Sequence, residues 1–96
     1  METEKTRKQY RFFGRVQGVG FRWTAMHAAY GLGVTGWIRN DYCGTVTMEA
    51  QGRPEELDAL IATIRSSRYI VIVKIDEKEM PLDMEERDFD VKHDWQ

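Results

Sequence analysis

The residues best placed to do chemistry lie in one glycine-rich stretch, Gly14-Arg15-Val16-Gln17-Gly18-Val19-Gly20-Phe21-Arg22. Glycine tolerates positive φ and lets backbone come close, so successive N–H groups there can turn into one concavity. A helix beginning at the end of that stretch adds unpaired amides and a partial positive charge. Arg22 would sit in its first turn, where the helix dipole disfavours a cation. An arginine in that position points to an anion between it and the amides, and a phosphate matches its planar fork. No Gly-Lys-Ser/Thr follows and the spacing is not G-x-G-x-x-G, so neither nucleotide-binding pattern applies. On the residues alone two readings stand: an anion cradle, or a tight strand-to-helix connection carrying an incidental arginine.

Other reactive side chains are few. His27 and His93 are far apart and Cys43 is the single cysteine, so no metal-ligand cluster, cofactor or intramolecular disulfide is expected. Cys43 falls in a turn with no base or cation evident beside it, which argues against a catalytic thiol. His27 reads as plain surface. Trp23 and Trp37 could border a ligand, or simply pack and cover surface.

The elements that must position the loop follow from pattern. Gln9 to Arg15 is aromatic-rich and reads as a strand. From Phe21 the period becomes helical: Phe21, Ala25, Ala28, Ala29 and Leu32 share one face, Trp23, His27 and Tyr30 the other. Gly31 and Gly33 end that helix. Val34 to Asn40 and Thr45 to Gln51 read as strands joined by a turn at Asp41-Tyr42-Cys43-Gly44. In the second of these, Val46, Met48 and Ala50 alternate with Thr45, Thr47 and Glu49, giving a dry face and a wet one. Pro54, Glu55 and Glu56 open a helix whose buried stripe is Leu57, Leu60, Ile61 and Ile64. Tyr69 to Ile75 is a β-prone run, and Phe89-Asp90-Val91 a short last strand.

The order βαββαβ with an extra C-terminal strand predicts an α+β fold, the ferredoxin-like α/β sandwich, with two helices on one face of a mixed, mainly antiparallel sheet. A helix links the first two strands, so they run parallel with room for a third between them. Their C-terminal ends then share one sheet edge, where the loop after Gly14 and Asn40 can converge. Residues 1–8 are expected to form a flexible tail and residues 9–96 a single domain.

Composition sets outer limits. The chain has 96 residues, 31% charged, with a net charge of −2, a balance that argues against a general nucleic-acid binder. Residues 1–22 hold six basic residues against Glu2 and Glu4, and residues 76–96 hold nine acidic residues against Lys78, Arg87 and Lys92. The acidic part reads as solvated surface. No apolar run approaches a membrane span and METEKTRKQY lacks a signal peptide's apolar stretch, so a cytoplasmic location, no membrane partner and a monomer are expected.

Two stretches together resemble a known family. Phe13-Gly14-Arg15-Val16-Gln17-Gly18-Val19-Gly20-Phe21-Arg22 is similar to the signature loop of the acylphosphatases, and Gly36-Trp37-Ile38-Arg39-Asn40 with Gly44, Val46 and Gly52 to their second signature. The 18 residues from Arg22 to Asn40 fit as well. The resemblance departs mildly at Phe12, Ile38 and Cys43, and the stretch around Ser66-Ser67-Arg68 lacks the family's usual prolines. It implies hydrolysis of small-molecule acyl phosphates, with inorganic phosphate or sulfate as product or analogue. It implies phosphate binding by Arg15, Val16, Gln17, Gly18, Val19, Gly20, Phe21 and Arg22, and catalysis by Arg22 and by Asn40, which orients the water.

That chemistry suits the residues. An acyl phosphate expels a carboxylate whose conjugate acid has a pKa of roughly 4, so it needs no protonation to leave. An alkyl phosphate would need a general acid or a metal. What remains is positioning and electrostatics, the main demands of a loose phosphoryl-transfer transition state. Two other classes compete: an RNA-binding sheet using Tyr10, Phe12 and Phe13, and a sensor that binds the phosphate ligand without turnover.

Overall fold

A computed structural model describes residues 4–92. The first three residues of the expected tail, and His93 with the three residues after it, lie outside the described residues. The chain runs β1 (Thr6–Arg15), α1 (Phe21–Leu32), β2 (Thr35–Asn40), β3 (Val46–Gly52), α2 (Pro54–Arg65), β4 (Val71–Met80) and β5 (Phe89–Val91). The sheet order is β4-β1-β3-β2-β5. β3 lies antiparallel to both β1 and β2, so those two are parallel, as a crossover through α1 requires. β5 extends the sheet by pairing parallel to β2. This is the ferredoxin-like α+β plan, with the core between the helices and one sheet face.

Periodicity explains the core. Tyr10 and Phe12 of β1, Ile38 of β2, and Val46, Met48 and Ala50 of β3 are all buried. They meet Phe21, Ala25 and Ala29 of α1 and Leu57, Leu60 and Ile64 of α2 in one cluster. The alanines let α1 lie close to the sheet, and the Phe12 and Phe21 rings approach to 4.8 Å. Ala28, Leu32 and Ile61, expected on the buried faces, are half-buried at their margins. Gly33, not Gly31, terminates α1, in the left-handed conformation at φ 72°.

Three expectations need correction. β1 begins at Thr6, so Thr6, Arg7 and Lys8 belong to the sheet instead of a tail, pairing with Gly52, Gln51 and Ala50. β4 continues past Ile75 to Met80, and the charged run 76–79 pairs with β1 while its side chains stay in water. Charges on this edge strand also discourage pairing with another chain.

The third concerns the face of β3 expected to be wet. Thr45, Thr47 and Gln51 are buried there. Polar neighbours, not water, cover them. Arg7, itself buried, donates to Glu49 at 3.0 Å and to both carboxylate oxygens of Glu86 at 2.8 and 3.1 Å. Gln51 bonds the main chain of Asp83 in both directions. Glu86, read as solvated surface, therefore fastens the segment before β5 across the open face.

Gly14 serves the sheet. The β1–β4 register shifts between Phe13 and Gly14. A Cβ at Gly14, whose φ is 129°, would fall 2.1 Å from the Val71 carbonyl oxygen, so only glycine fits this close approach.

Candidate active site

The site forms where three strand ends meet. Phe12 pairs with Val46, and Val46 with Asn40. The end of β1, the end of β2 and the start of β3 thus share one edge of the sheet. The 16–20 loop leaves β1 there and turns directly into α1. Val16 points down into the core at 1% exposure, an anchor worth about 1.5–3 kcal/mol for a fully buried valine-sized side chain.

Beyond Val16, Gly18 and Gly20 adopt positive φ of 73° and 79°. Both carry open space where a Cβ would stand, so their requirement is conformational and their exposed backbone is available to a ligand. The first helical bond runs from Thr24 N to the Gly20 carbonyl. The amides of Phe21, Arg22 and Trp23 precede that ladder. Among the described residues no side chain caps this end, and the first turn holds no acid. Arg22 stands in it, half-buried.

A cavity of about 370 Å³ opens at this point, lined by Val16, Gly18, Gly20, Phe21, Arg22, Trp23, Met26, Asn40 and Val91. The structure therefore brings Arg22 and Asn40 to one cavity together with the two loop glycines. Asn40 is 8% exposed. Its side-chain oxygen is buried and has no hydrogen-bond partner among the described residues. A buried acceptor without a donor is costly, by about 1–3 kcal/mol.

Arg15, Gln17 and Val19 do not contribute to the cavity wall. Arg15 is exposed and pairs with Val71 in the sheet. Val19 packs on the core. The Gln17 side chain acts elsewhere, its Nε2 donating to the carbonyls of Asp41 at 2.7 Å and Thr45 at 2.9 Å. The loop is thereby clamped to the turn that follows Asn40.

That turn is fixed from its other side by Asp41, 8% exposed. Asp41 accepts hydrogen bonds from the hydroxyls of Thr45 at 2.7 Å and Thr47 at 2.6 Å, and from Arg39 at 3.2 Å. Burial alone would raise its carboxyl, but the donors Thr47, Thr45 and Arg39 outweigh it and hold the pKa below the usual carboxylate value. Gln17, Asn40 and Asp41 thus belong to one braced unit.

The remaining candidates fall outside it. His27 is exposed and packs against Trp23 in a tilted arrangement, ring centroids 4.1 Å apart. Trp37 lies under Arg39 and Lys92, whose charged groups stand 5.2 and 4.2 Å from its ring. Cys43 is exposed, and its contact to the Thr45 hydroxyl lowers its pKa. Sequence reasoning missed Met26, Val91 and the bracing roles of Gln17 and Asp41. Met26 sits one helical turn beyond Arg22, a spacing that marks it. Val91 reaches the cavity only because β5 pairs with β2.

The sequence profile of the acylphosphatase family matches residues 8–91. The chain belongs to the acylphosphatase family. An acylphosphatase of Oceanobacillus iheyensis is 35% identical over 82 residues, 83% of this chain and 90% of that protein. One from Thermococcus kodakarensis is 50% identical over 58 residues, 60% of this chain and 64% of that protein. The match therefore spans slightly less than two thirds of that second relative. The crystal structure of an acylphosphatase from Bacillus subtilis superposes with a TM-score of 0.83 at 25% identity, covering 91% of this chain and 98% of that one. In this acylphosphatase-family chain both signature stretches border the same cavity.

Proposed function

We propose that the chain hydrolyses an acyl phosphate to a carboxylate and inorganic phosphate by in-line attack of water. The family to which it belongs supports the reaction, and the cavity supports the roles. The amides around Gly18 to Arg22 and the Arg22 guanidinium bind the phosphoryl oxygens and stabilise the charge that gathers on them. Asn40 offers its side-chain oxygen to the attacking water and its amide to a phosphoryl oxygen. The water oxygen bonds to phosphorus, the bond to the acyl oxygen breaks, and the carboxylate leaves unprotonated. The water's proton passes to a phosphoryl oxygen.

The observation that carries this reading is that Arg22 and Asn40 line one cavity with Gly18 and Gly20, the buried Asn40 oxygen having no partner among the described residues. Asn40→Ala tests it. We expect kcat on acetyl phosphate to fall about 10²-fold, with competitive inhibition by inorganic phosphate preserved. Weakened phosphate inhibition with kcat retained would make Asn40 a binding residue and overturn the water-holding role.

The same reading takes the chain as a cytoplasmic monomer that acts on a small molecule without a nucleic-acid or membrane partner. Tyr10 and Phe12 are buried, which removes two of the three aromatics an RNA-binding sheet would need for stacking. Among the described residues no helix is long and apolar enough to cross a membrane.

A further inference from the structure

The face of the sheet away from the helices holds a second hollow, a groove of about 420 Å³ that crosses β2, β3, β1 and β4. Arg11 and Arg39 both stand opposite Thr47, one on each side of β3, so their Cα atoms are about 10 Å apart. Their Nε atoms nevertheless reach one carboxylate, lying 3.9 Å and 3.2 Å from the Asp41 oxygens. Asp41 also accepts from the Thr45 and Thr47 hydroxyls, and one carboxylate balances only one of two guanidiniums. Among the described residues no hydrogen bond engages the Nη atoms of either arginine.

Lys78 adds a third cation to the groove wall. It stands opposite Gln9, with its Cα about 8 Å from that of Arg11. It is exposed and makes no ion pair among the described residues. Two carboxylates border the groove as well, but lysines outside it neutralise them: Asp76 meets Lys74 at 3.5 Å, and Glu77 meets Lys8 at 3.3 Å. The groove and its ion-pair partners thus keep an excess of positive charge, although the chain carries −2 overall. The Arg39 guanidinium is also held over the Trp37 ring at 5.2 Å, which limits the freedom it loses when a ligand binds. A hollow of this size, with forked donors at one end and an ammonium at the other, suits a small ligand with more than one anionic group.

We propose that this groove is a second anion site, distinct from the cavity at the start of α1, for a small molecule bearing two or three carboxylate or phosphate groups. One anionic group lies across the terminal nitrogens of Arg11 and Arg39, and another meets Lys78. The Gln9 amide is committed to Glu49 at 2.9 Å, so the three cations carry the recognition. None of these side chains borders the cavity that Arg22 lines, and the site stands apart from acyl phosphate hydrolysis.

Titration of the ¹⁵N-labelled full chain with citrate and with tripolyphosphate tests this, acetate at matched ionic strength serving as the control. We expect saturable shifts of the Arg11, Arg39, Thr47 and Lys78 amides with at least one of the two polyanions and none with acetate. The tighter of the two names the source, a polycarboxylate or a polyphosphate, and equal affinity means that the site reads charge alone. Arg11→Gln and Lys78→Gln, both at exposed positions, should each weaken binding about three- to fivefold, and the double variant more than either. The Gly18 and Gly20 amides report separately on the cavity at α1. Shifts confined to those glycines, shifts that never saturate, or unchanged affinity in both variants would overturn the second site and leave the proposed reaction untouched.

Discussion

The two helices begin alike in length and differently in chemistry. α1 and α2 are both 12 residues long. At the start of α2, Arg53 is followed by Pro54, Glu55 and Glu56, and the Glu56 carboxylate accepts the Arg53 amide at 2.8 Å. That bond, with the Arg53 side chain, lowers the Glu56 pKa. At the start of α1 the same positions hold Gly20, Phe21, Arg22 and Trp23. Where α2 carries Glu55, α1 carries Arg22; where α2 carries Glu56, α1 carries Trp23. The α2 terminus satisfies its own amides and complements its dipole. The α1 terminus has no side-chain cap among the described residues and no acid in its first turn. Functional sites are where a fold departs from local consistency, and this molecule displays the consistent version alongside.

The largest test removes the cation from the open terminus. Arg22→Gln should lower kcat/KM for acetyl phosphate about 10²–10³-fold, the usual cost of losing a preorganised donor to a transition state. Equal activity in the variant would mean that the contrast between the two termini has no catalytic meaning.

The second test asks what braces the open end in place of a cap. Asp41→Asn keeps the shape but puts an amide donor among the Thr45, Thr47 and Arg39 donors, at a cost of about 1–3 kcal/mol in urea unfolding. The sign of the acid response follows from the depressed pKa. The stabilisation from the Asp41 carboxylate is complete above the unfolded value near pH 4 and is lost as pH falls through the lower folded value. The unaltered protein should therefore weaken below about pH 4 more steeply than the variant. Parallel profiles would show that Asp41 is not the group responsible.

A third test makes α1 resemble α2. Trp23→Glu places an acid at the position of Glu56, where it complements the dipole by about 0.3–1 kcal/mol. We expect higher thermal stability together with inhibition by phosphate weakened several-fold, because the carboxylate occupies the anion's place. A rise in stability with phosphate affinity unchanged would separate the helix terminus from the anion site. The smallest effect belongs to the converse change. Glu56→Gln should cost α2 about 0.3–1 kcal/mol, read as a small drop in Tm, with acyl phosphate turnover unaffected.

Much of this was legible in the chain. The glycines around the loop, Arg22 in a first helical turn, and the alternation of β3 each follow from local rules of backbone freedom and side-chain period. Crossover handedness then brought Asn40 to the loop's edge. Less legible were the limits of β1 and β4. Arg7 and the 76–79 charges look solvated in a linear reading, and only Glu86 crossing the open face, or β1 accepting an edge partner, makes them part of a sheet. The bracing roles of Asp41 and Gln17 went unread for a related reason. Their type suits a turn or a loop equally well, whether it faces water or braces a neighbour.

By itself the sequence determined the elements, their buried faces and the parallel run of the first two strands with a third between them, because helical and strand periods and the crossover rule depend on near neighbours and chirality. It also marked the loop, since glycine and a misplaced cation carry their meaning locally. Only the tertiary structure decided that Val91 borders the cavity, that Gln17 ties the loop to the turn after Asn40, and that the Asn40 oxygen lacks a partner among the described residues. Those facts depend on which side chains from distant segments fill the same space, and pairing of that kind is set by packing across the whole fold, not by the residues on either side.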